Sequence, residues 1–566
     1  MKLIPSLRLL LYGLFILSAC ARQTTPTGGP KDSIPPALVN SNPKNGQVNF
    51  KGKTVELVFT EDVILNNPRE QLIITPDIGK MPDVKTKKEK VIITLDNDLN
   101  DSTTYSINFR EAVQDITEKN PATNLRLAFS TGSYIDSLTV EGNIHDLLKA
   151  KESKDATVAL YQSDTFNIFK HRPVYLTKTD AKGNFKLDNL KPGTYYIYAI
   201  EDKNKNLIVD SKTESYGFLA EPIELVKNIR GIKIPLVRLD SRPLKLTSAR
   251  PYGTYFNIKT TKSLTDFKIS TDKNDITVSS FGEDLTNIKL YNTFTDKDSV
   301  AINFHAIDSI NNEIDTTLYA KYSGRDTKPE AFNVAKNTFE VIASKGSLRG
   351  SINFSKPLSK INFDSIYYRI DSLKIIKVSE QDIHWDSLHN ILTITKSFNK
   401  NLLIKENALQ SNGVKVVTEK KDSKKILKPA LKDNSFYLGQ AAFISVELDS
   451  SKRISEESAP LKLENTGVII VQIAPKSEHF LVQLLTKDYQ VITQQHNKRK
   501  ITFEDLKPGD YQIRLIMDTN NDGAWNAGNF FNKEEPEDIR FYKNEKDNSI
   551  INLKANWELG PLLITE

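Results

Sequence analysis

The chain is poor in cysteine, histidine and tryptophan, and no charge sign dominates. It has 1 Cys, 7 His and 3 Trp among 566 residues. A lone cysteine excludes a disulfide-stapled scaffold and cysteine-rich zinc modules. The 77 Lys and Arg residues are nearly balanced by 71 Asp and Glu residues, which leaves a net charge of +6. This basic excess is weak for so long a chain and argues against nucleic acid as the main partner.

Motifs of common catalytic sites are also missing. The sequence contains no H-E-x-x-H zinc motif, no G-x-S-x-G elbow and no P-loop. Acidic residues are numerous, but the paired carboxylates of a glycosidase are recognised by their geometry rather than by sequence. We therefore expect a protein without enzymatic activity. A cryptic catalytic site stays open as an alternative, which a deep pocket with paired carboxylates would favour.

The N-terminus has the features of an export signal. Lys2 and Arg8 are basic, and residues 9–17 form a mostly apolar run that is too short to span a bilayer. Residues 1–19 are therefore predicted to be a signal peptide. The segment L-S-A-C that ends at Cys20 resembles a bacterial lipobox, which implies that Cys20 is acylated and attaches the chain to a membrane. A cleaved signal without lipid, followed by an incidental cysteine, is the alternative.

Alternating apolar residues dominate the rest of the chain. Residues 20–36 are rich in Thr, Gly and Pro and predict a flexible tether. Beyond them, Val55, Leu57 and Phe59 exemplify a period of two, which is typical of strands with one buried face. Turn-forming pairs separate such runs at short intervals. The pattern predicts an all-β fold of tandem β-sandwiches.

One segment of the chain occurs twice. Residues 185–210 align without a gap with residues 501–526, and both contain the motif Leu-Lys-Pro-Gly-x-Tyr. Proline presets φ and glycine accepts positive φ, so the motif predicts a turn between two strands. Residues 195–200 are apolar on both faces, which predicts a central strand. The repeat indicates a duplicated β module.

Several of these segments resemble a known family. The lipobox, the tether at residues 26–32 and residues 42–46 resemble the start of Bacteroidota Ig-like-domain lipoproteins. Residues 55–65 and 129–132 are similar to strands of the S-layer-protein type of bacterial Ig-like domain. The Leu-Lys-Pro-Gly-x-Tyr segments resemble the transthyretin-like, carboxypeptidase-regulatory-like module. The resemblance implies an envelope lipoprotein of tandem β-sandwiches and implies no particular activity.

These observations divide the chain into seven segments, arranged as a rigid row of sandwiches on a tether. The segments are a signal peptide (1–19), a lipidated tether (20–36), an Ig-like domain (37–132), a transthyretin-like sandwich (133–236), a further sandwich (237–325), a second Ig-like domain (326–440) and a second transthyretin-like module (441–566).

Residues 518–523, D-T-N-N-D-G, are the sharpest candidate site. They match the first half of a calcium-binding loop, in which Asp518, Asn520 and Asp522 would supply the oxygen ligands. The twelfth position of the loop is Asn529 rather than a glutamate. An Asx-rich turn explains the segment without metal and is the interpretation we favour. A weak, structural calcium site is the alternative, and no other cofactor is expected.

Trp525 and Trp557 lie in an aromatic-rich C-terminal region. Aromatic rings can stack on sugars, although core packing is their commoner role. We predict a non-catalytic envelope protein that is lipid-anchored in the outer membrane and presents β-sandwich surfaces to another envelope protein. A glycan-binding module of a polysaccharide-handling system, using both tryptophans, is the alternative. Residues 21–24 lack the acidic run that resembles a surface-export tag, which favours the periplasmic face.

Overall fold

The computed structural model describes residues 31–163, 165–272, 277–294, 299–322, 330–386, 390–403, 432–475 and 477–565. Nearly all regular structure in these ranges is β-strand. The strands form sheets around separate apolar cores, so the predicted all-β fold of tandem β-sandwiches is confirmed. Cys20, the predicted signal peptide and the first part of the tether lie outside the described residues. No helix within these ranges is long and apolar enough to cross a membrane.

The first sandwich contains strands β1 to β9 and one helical turn, α1. Their bounds are β1 (Leu38–Asn42), β2 (Thr54–Phe59), β3 (Val63–Leu65), α1 (Pro68–Gln71), β4 (Ile73–Thr75), β5 (Asp83–Lys87), β6 (Lys90–Thr94), β7 (Thr104–Asn108), β8 (Val113–Asp115) and β9 (Arg126–Ser130). One sheet has the order β1-β2-β6-β5 and another the order β4-β7-β9. Val55, Leu57 and Phe59 fill the core between them, as their alternation predicts.

The second sandwich contains the first copy of the repeat. Its strands are β10 (Leu138–Asp146), β11 (Lys151–Glu152), β12 (Thr157–Tyr161), β13 (Tyr175–Lys178), β14 (Asn184–Leu190), β15 (Gly193–Ile200), β16 (Tyr216–Phe218), β17 (Ile223–Leu225) and β18 (Ile229–Leu236). β10 pairs with β11 and β14 and, in parallel, with β18. The other sheet has the order β13-β12-β15-β16, with β17 beside β15. β15 is therefore a central strand, as predicted.

The third and fourth sandwiches follow. The third contains β19 (Leu246–Tyr252), β20 (Tyr255–Thr260), β21 (Leu264–Ser270), β22 (Ser279–Phe281), β23 (Asn287–Tyr291), β24 (Val300–Asp308) and β25 (Glu313–Ala320). The fourth contains β26 (Val334–Ile342), β27 (Ser347–Phe354), β28 (Leu358–Ile361), β29 (Ile366–Arg369), β30 (Ile375–Lys377), β31 (Ile383–Trp385), β32 (Ile391–Ser397), β33 (Ser435–Leu438), β34 (Phe443–Ser445) and β35 (Ile454–Glu457). Short 3-10 helices lie at Phe363–Ser365, Glu380–Asp382, Lys400–Leu403 and Leu463–Asn465. Because β34 pairs with β28 and β35 with β33, the fourth sandwich extends past the predicted boundary at residue 440.

The fifth sandwich contains the second copy of the repeat. Its strands are β36 (Gly467–Ala474), β37 (Phe480–Thr486), β38 (Val491–His496), β39 (Lys500–Leu506), β40 (Gly509–Met517), β41 (Ile539–Phe541), β42 (Ile551–Leu553) and β43 (Glu558–Thr565). β36 pairs with β39 and, in parallel, with β43. The other sheet has the order β38-β37-β40-β41, with β42 beside β40. Each of these strands has a counterpart in the second sandwich, in which β11 is the one named strand without an equivalent. The repeated sequence therefore adopts a repeated topology.

The tyrosine of the Leu-Lys-Pro-Gly-x-Tyr motif holds the hairpin turn in both copies. The Tyr195 hydroxyl donates a hydrogen bond to the carbonyl oxygen of Lys191 at 2.8 Å. In the second copy the Tyr511 hydroxyl donates to the carbonyl oxygen of Lys507 at 2.6 Å. The bond satisfies a polar group at the turn while the ring stays in the core. The tyrosine at the end of the motif therefore stabilises the turn that begins at the motif's lysine.

The two copies pack against each other through one apolar cluster, called here the inter-repeat interface. It includes residues of β12, β15 and β16 from the second sandwich and of β37, β40 and β41 from the fifth. In β12, Val158 and Leu160 face the core of their own sandwich, whereas Ala159 and Tyr161 face this interface. β37 is divided between a core and the interface in the same way. The central strands are apolar on both faces for this reason.

Phe530, on the segment after β40, contacts four rings of the second sandwich. Its ring centroid lies 5.2 Å from that of Phe169 and 5.4 Å from that of Phe218. The centroids of Tyr198 and Tyr216 lie 5.8 Å and 6.2 Å away. Aromatic contacts of this kind add stability beyond the area they bury.

Further contacts join neighbouring sandwiches into a cycle. Ile310 of the third sandwich packs into the inter-repeat interface. The Thr254 hydroxyl of the third sandwich donates a hydrogen bond to the Glu447 carboxylate of the fourth. Lys345 of the fourth sandwich forms an ion pair of 2.8 Å with Glu504 of the fifth. The second to fifth sandwiches therefore form a closed cycle, which differs from the row expected from the sequence.

Replacing Phe530 with alanine tests the inter-repeat interface. We expect Phe530→Ala to lower the free energy of unfolding by roughly 2–4 kcal/mol, because the ring would leave a cavity among its aromatic partners. Amide hydrogen exchange should increase in β15 and β16 as well as in β40 and β41, since both sheets lose cover.

Val491→Ala is the control, because the Val491 side chain in β38 is 50% exposed and lies outside the inter-repeat interface. Its substitution should leave exchange in β15 and β16 nearly unchanged. Faster exchange that is confined to the fifth sandwich in the Phe530→Ala variant would contradict the interface.

Candidate functional site

The predicted loop at residues 518–523 is closed by the carboxylate of Asp518. This side chain is 2% exposed. Its Oδ1 accepts the backbone N–H of Asp522 at 3.1 Å, and its Oδ2 accepts the backbone N–H of Gly523 at 3.0 Å. Gly523 has φ of 80°, a conformation that glycine adopts without steric cost. The geometry is that of an Asx-rich turn after a strand.

A second carboxylate, Glu537, supports the same loop from a position just before the next strand, β41. It is 6% exposed. Its Oε1 accepts the backbone N–H of Thr519 at 2.6 Å and the Thr519 hydroxyl at 2.8 Å. Its Oε2 accepts the backbone N–H of Asn526 at 2.9 Å. These three donors compensate the buried charge, which would otherwise be costly.

The first copy of the repeat has the same pair of carboxylates. Asp202 accepts the backbone N–H of Leu207 at 2.9 Å. Glu214 accepts the N–H groups of Lys203 at 2.9 Å and Asp210 at 2.8 Å. Glu214 stands two residues before β16, as Glu537 stands two residues before β41. Both glutamates can be recognised by their position just before a strand. The calcium-loop motif did not reveal them, because neither occupies a ligand position of that motif.

The Asp518 loop already uses its oxygens for internal hydrogen bonds. Asp522 Oδ2 accepts the side-chain amides of Asn526 and Asn520, each at 2.9 Å. The Asn526 hydrogen bond, and after it other donors of the loop, hold the pKa of Asp522 below its ordinary value. The Glu537 carboxylate faces backbone donors and not these oxygens. The loop is thus stabilised without a cation, and calcium binding stays a prediction.

Within the described ranges, one group of histidine and acidic side chains lies close enough together to hold a metal ion. His305, Glu313 and Asp315 place ligand atoms within 4.8 Å of one another on β24 and β25. His305 Nδ1 lies 2.8 Å from Asp315 Oδ1 on an exposed part of this sheet. In the described part of the chain, no serine, threonine or cysteine hydrogen-bonds to His305. The pair therefore lacks the nucleophile of a catalytic triad there.

The two candidate tryptophans lie in different surroundings. Trp525 is half-buried against the inter-repeat interface, and its indole N–H donates to the carbonyl oxygen of Glu537 at 3.1 Å. Trp557 is 45% exposed just before β43, with the Lys554 ammonium 4.8 Å from its ring centroid. Trp525 thus contributes to packing between the repeats, whereas Trp557 presents a ring to solvent.

Comparison with known families supports the first sandwich and part of the fifth. Residues 32–131 match the family described as bacterial Ig-like domain. This match confirms the Ig-like resemblance for the first sandwich. Residues 463–536 match a second family, described as an uncharacterized protein conserved in bacteria (DUF2141). They include β36 to β40 and the Asp518 loop. A comparison with functionally curated proteins finds no match.

Several solved structures are similar to this chain at low sequence identity. The Bacillus anthracis TIE protein is 10% identical over 100% of this chain and 78% of its own, with a TM-score of 0.13. The surface layer protein SbsC is 10% identical over 64% of this chain and 63% of its own, with a TM-score of 0.14. BcpA, the major pilin subunit of Bacillus cereus, is 12% identical over 76% of this chain and 98% of its own, with a TM-score of 0.13. TM-scores this low do not support a shared arrangement.

Substitution of Asp518 distinguishes a turn from a cation site. We expect Asp518→Ala to lower the free energy of unfolding by about 1–3 kcal/mol, because two backbone N–H groups lose their acceptor. The loss should be the same in EDTA and in millimolar calcium, as measured by thermal unfolding. Glu545→Ala, at an exposed carboxylate of the same sandwich, is the control and should change little. A calcium-dependent rise in melting temperature that Asp518→Ala abolishes would establish the cation site instead.

Proposed function

We propose that the chain is a non-catalytic envelope protein, anchored by lipid at Cys20, that presents β-sandwich surfaces to another protein of the outer membrane. The closed cycle of sandwiches is the observation that carries this proposal. It turns the apolar sheet faces of the two repeats inward and leaves a preorganised outer surface. Preorganised surfaces lose little conformational entropy on binding, which suits a docking scaffold.

The same proposal includes the kind of envelope lipoprotein and the kind of module in the repeats. The lipobox-like segment before Cys20 and the Ig-like first sandwich support a Bacteroidota-type envelope lipoprotein. The second and fifth sandwiches share one topology and one turn motif, which supports transthyretin-like modules. The tether would hold the first sandwich near the bilayer. The absence of an acidic run at residues 21–24 favours the periplasmic face.

Glycan binding is the second candidate, and it rests on Trp557 rather than on both tryptophans. The exposed Trp557 ring could stack on a sugar face, whereas Trp525 is engaged in packing. Retention of the protein on an envelope polysaccharide, lost in Trp557→Ala, would favour this function over protein docking.

Labelling and fractionation test the anchor. We expect cells fed an alkyne-bearing palmitate to label the chain, and the labelled protein to fractionate with the outer membrane. Cys20→Ala should abolish both, because the chain has 1 Cys and more than one acyl chain is needed for stable anchoring. Ser18→Ala, which keeps a small residue before the cysteine, is the control. Label that persists in Cys20→Ala would contradict the proposal.

Partner capture tests the docking role. Chemical cross-linking in intact cells, followed by affinity purification, should recover one outer-membrane or envelope protein in stoichiometric amount with the lipidated chain. The Cys20→Ala variant should recover much less, since it no longer shares the membrane surface. Recovery of no stoichiometric protein partner would count against docking.

A further inference from the structure

A cleft of about 340 Å³ lies between the first and second sandwiches. Its apolar wall combines Leu72 and Ile78 of the first sandwich with Leu176 and Leu207 of the second. Arg69 lies at the charged rim. Interfaces between domains are common places for small-molecule sites, and a volume of roughly 300 Å³ or more suits such ligands. The cleft is therefore amphipathic and of ligand size.

Ion pairs and a backbone hydrogen bond hold the two walls together. The Lys205 ammonium of the second sandwich contacts the Glu70 carboxylate of the first. Arg110 of the first sandwich contacts Asp155 of the second. The backbone N–H of Asp77 donates to a carbonyl oxygen of the second sandwich at 2.8 Å. The cleft is thus bounded by fixed walls.

Lys178 departs from this pattern of paired charges. It lines the cleft and is half-buried, and burial, followed by the nearby Arg110, lowers the pKa of its ammonium group. Among the described residues, its ammonium forms no ion pair and no hydrogen bond. Buried lysines elsewhere have carboxylate partners: Lys262 lies 2.5 Å from Asp308. The carboxylates of Asp202 and Asp155 lie near enough to Lys178 to offset part of the effect of burial. The cleft lining nevertheless holds more cationic than acidic side chains, and a half-buried ammonium without a direct partner favours an anion there.

Leu207 gives an independent sign that this wall has a role of its own. Its φ is 64°, a left-handed conformation that is unfavourable for leucine. The equivalent residue in the other repeat is Gly523, which adopts φ of 80° without strain. The first copy therefore keeps a strained apolar side chain where the fold itself accepts glycine, and that side chain lines the cleft. Positive φ also occurs at Leu448, away from the cleft, so the difference between the two copies, rather than the strain itself, points to a role for this wall.

We propose that this cleft binds a small amphiphilic anion, an apolar chain or ring that carries one carboxylate or phosphate group. The anionic group pairs with Lys178, and the apolar part lies against Leu72, Leu176 and Leu207. This site goes beyond the proposed docking function and does not depend on it. Carboxylate and phosphate share the chemistry that Lys178 recognises, and the experiment separates them.

Photolabelling of the full-length protein tests the site. The probe is octanoate with a terminal diazirine, irradiated with the protein in a non-ionic detergent and mapped by peptide mass spectrometry. We expect label on residues 69–82 and 172–207, and competition by excess octanoate or octyl phosphate but not by octanol. The stronger competitor identifies the anionic group. Lys178→Gln should reduce labelling about tenfold, the effect of losing one charge-assisted hydrogen bond.

Two further variants keep the result interpretable. Lys212→Gln removes an exposed lysine of the same sandwich and should leave labelling unchanged. Leu207→Gly should reduce labelling, because the cleft loses an apolar side chain. The same substitution relieves the strain of the left-handed backbone, so this change of backbone should not lower the melting temperature. Lys178→Gln should melt no lower than Lys212→Gln, because it removes a half-buried ammonium that has no direct hydrogen-bond or ion-pair partner among the described residues.

Three outcomes would overturn the proposal. They are equal labelling of the Lys178→Gln variant and the unsubstituted protein, equal competition by octanol, and a clear loss of stability in Lys178→Gln, which would make Lys178 a structural residue.

Discussion

The constraint on which the architecture depends is the second apolar face of the repeated sheet. One face of this sheet packs on the core of its own sandwich, and the other face needs a second partner. Without that partner, Ala159, Tyr161 and Leu481 would be exposed to water. The two copies solve this by covering each other. The third and fourth sandwiches, which lie between them in the chain, must then follow a path that returns to its start. The closed cycle is therefore a consequence of sheet burial.

Much of the fold could be predicted from the sequence, because the pattern of apolar residues within a strand indicates which of its faces are buried. The period of two at Val55, Leu57 and Phe59 marks a core face, and the run at residues 195–200 marks a strand covered on both sides. The sequence does not say what covers the second face, since that depends on a partner hundreds of residues away. The expected row differs from the observed cycle for this reason. The extent of the fourth sandwich was likewise hidden, because β34 returns from far along the chain to pair with β28.

The candidate site was predicted in part. The aspartate of each loop stands out because it follows a strand and precedes polar residues and, in one copy, a glycine. The glutamates that complete the loops, Glu214 and Glu537, lie at different distances from their aspartates, so a fixed spacing does not find them. Their common position is relative to the next strand, which is a property of topology. Lys178 was equally invisible, since an unpaired charge is defined by what surrounds it in space.

The cycle also determines how mechanical load would travel through the protein. The proposed tether precedes the first sandwich, which contacts the second, and the second contacts the fifth directly. A pull between the membrane and a partner bound to the fifth sandwich would cross three bodies instead of five. The third and fourth sandwiches would lie in parallel with that path and carry little tension. The aromatic contacts around Phe530 would then bear the shear that a linear string of domains distributes along its linkers.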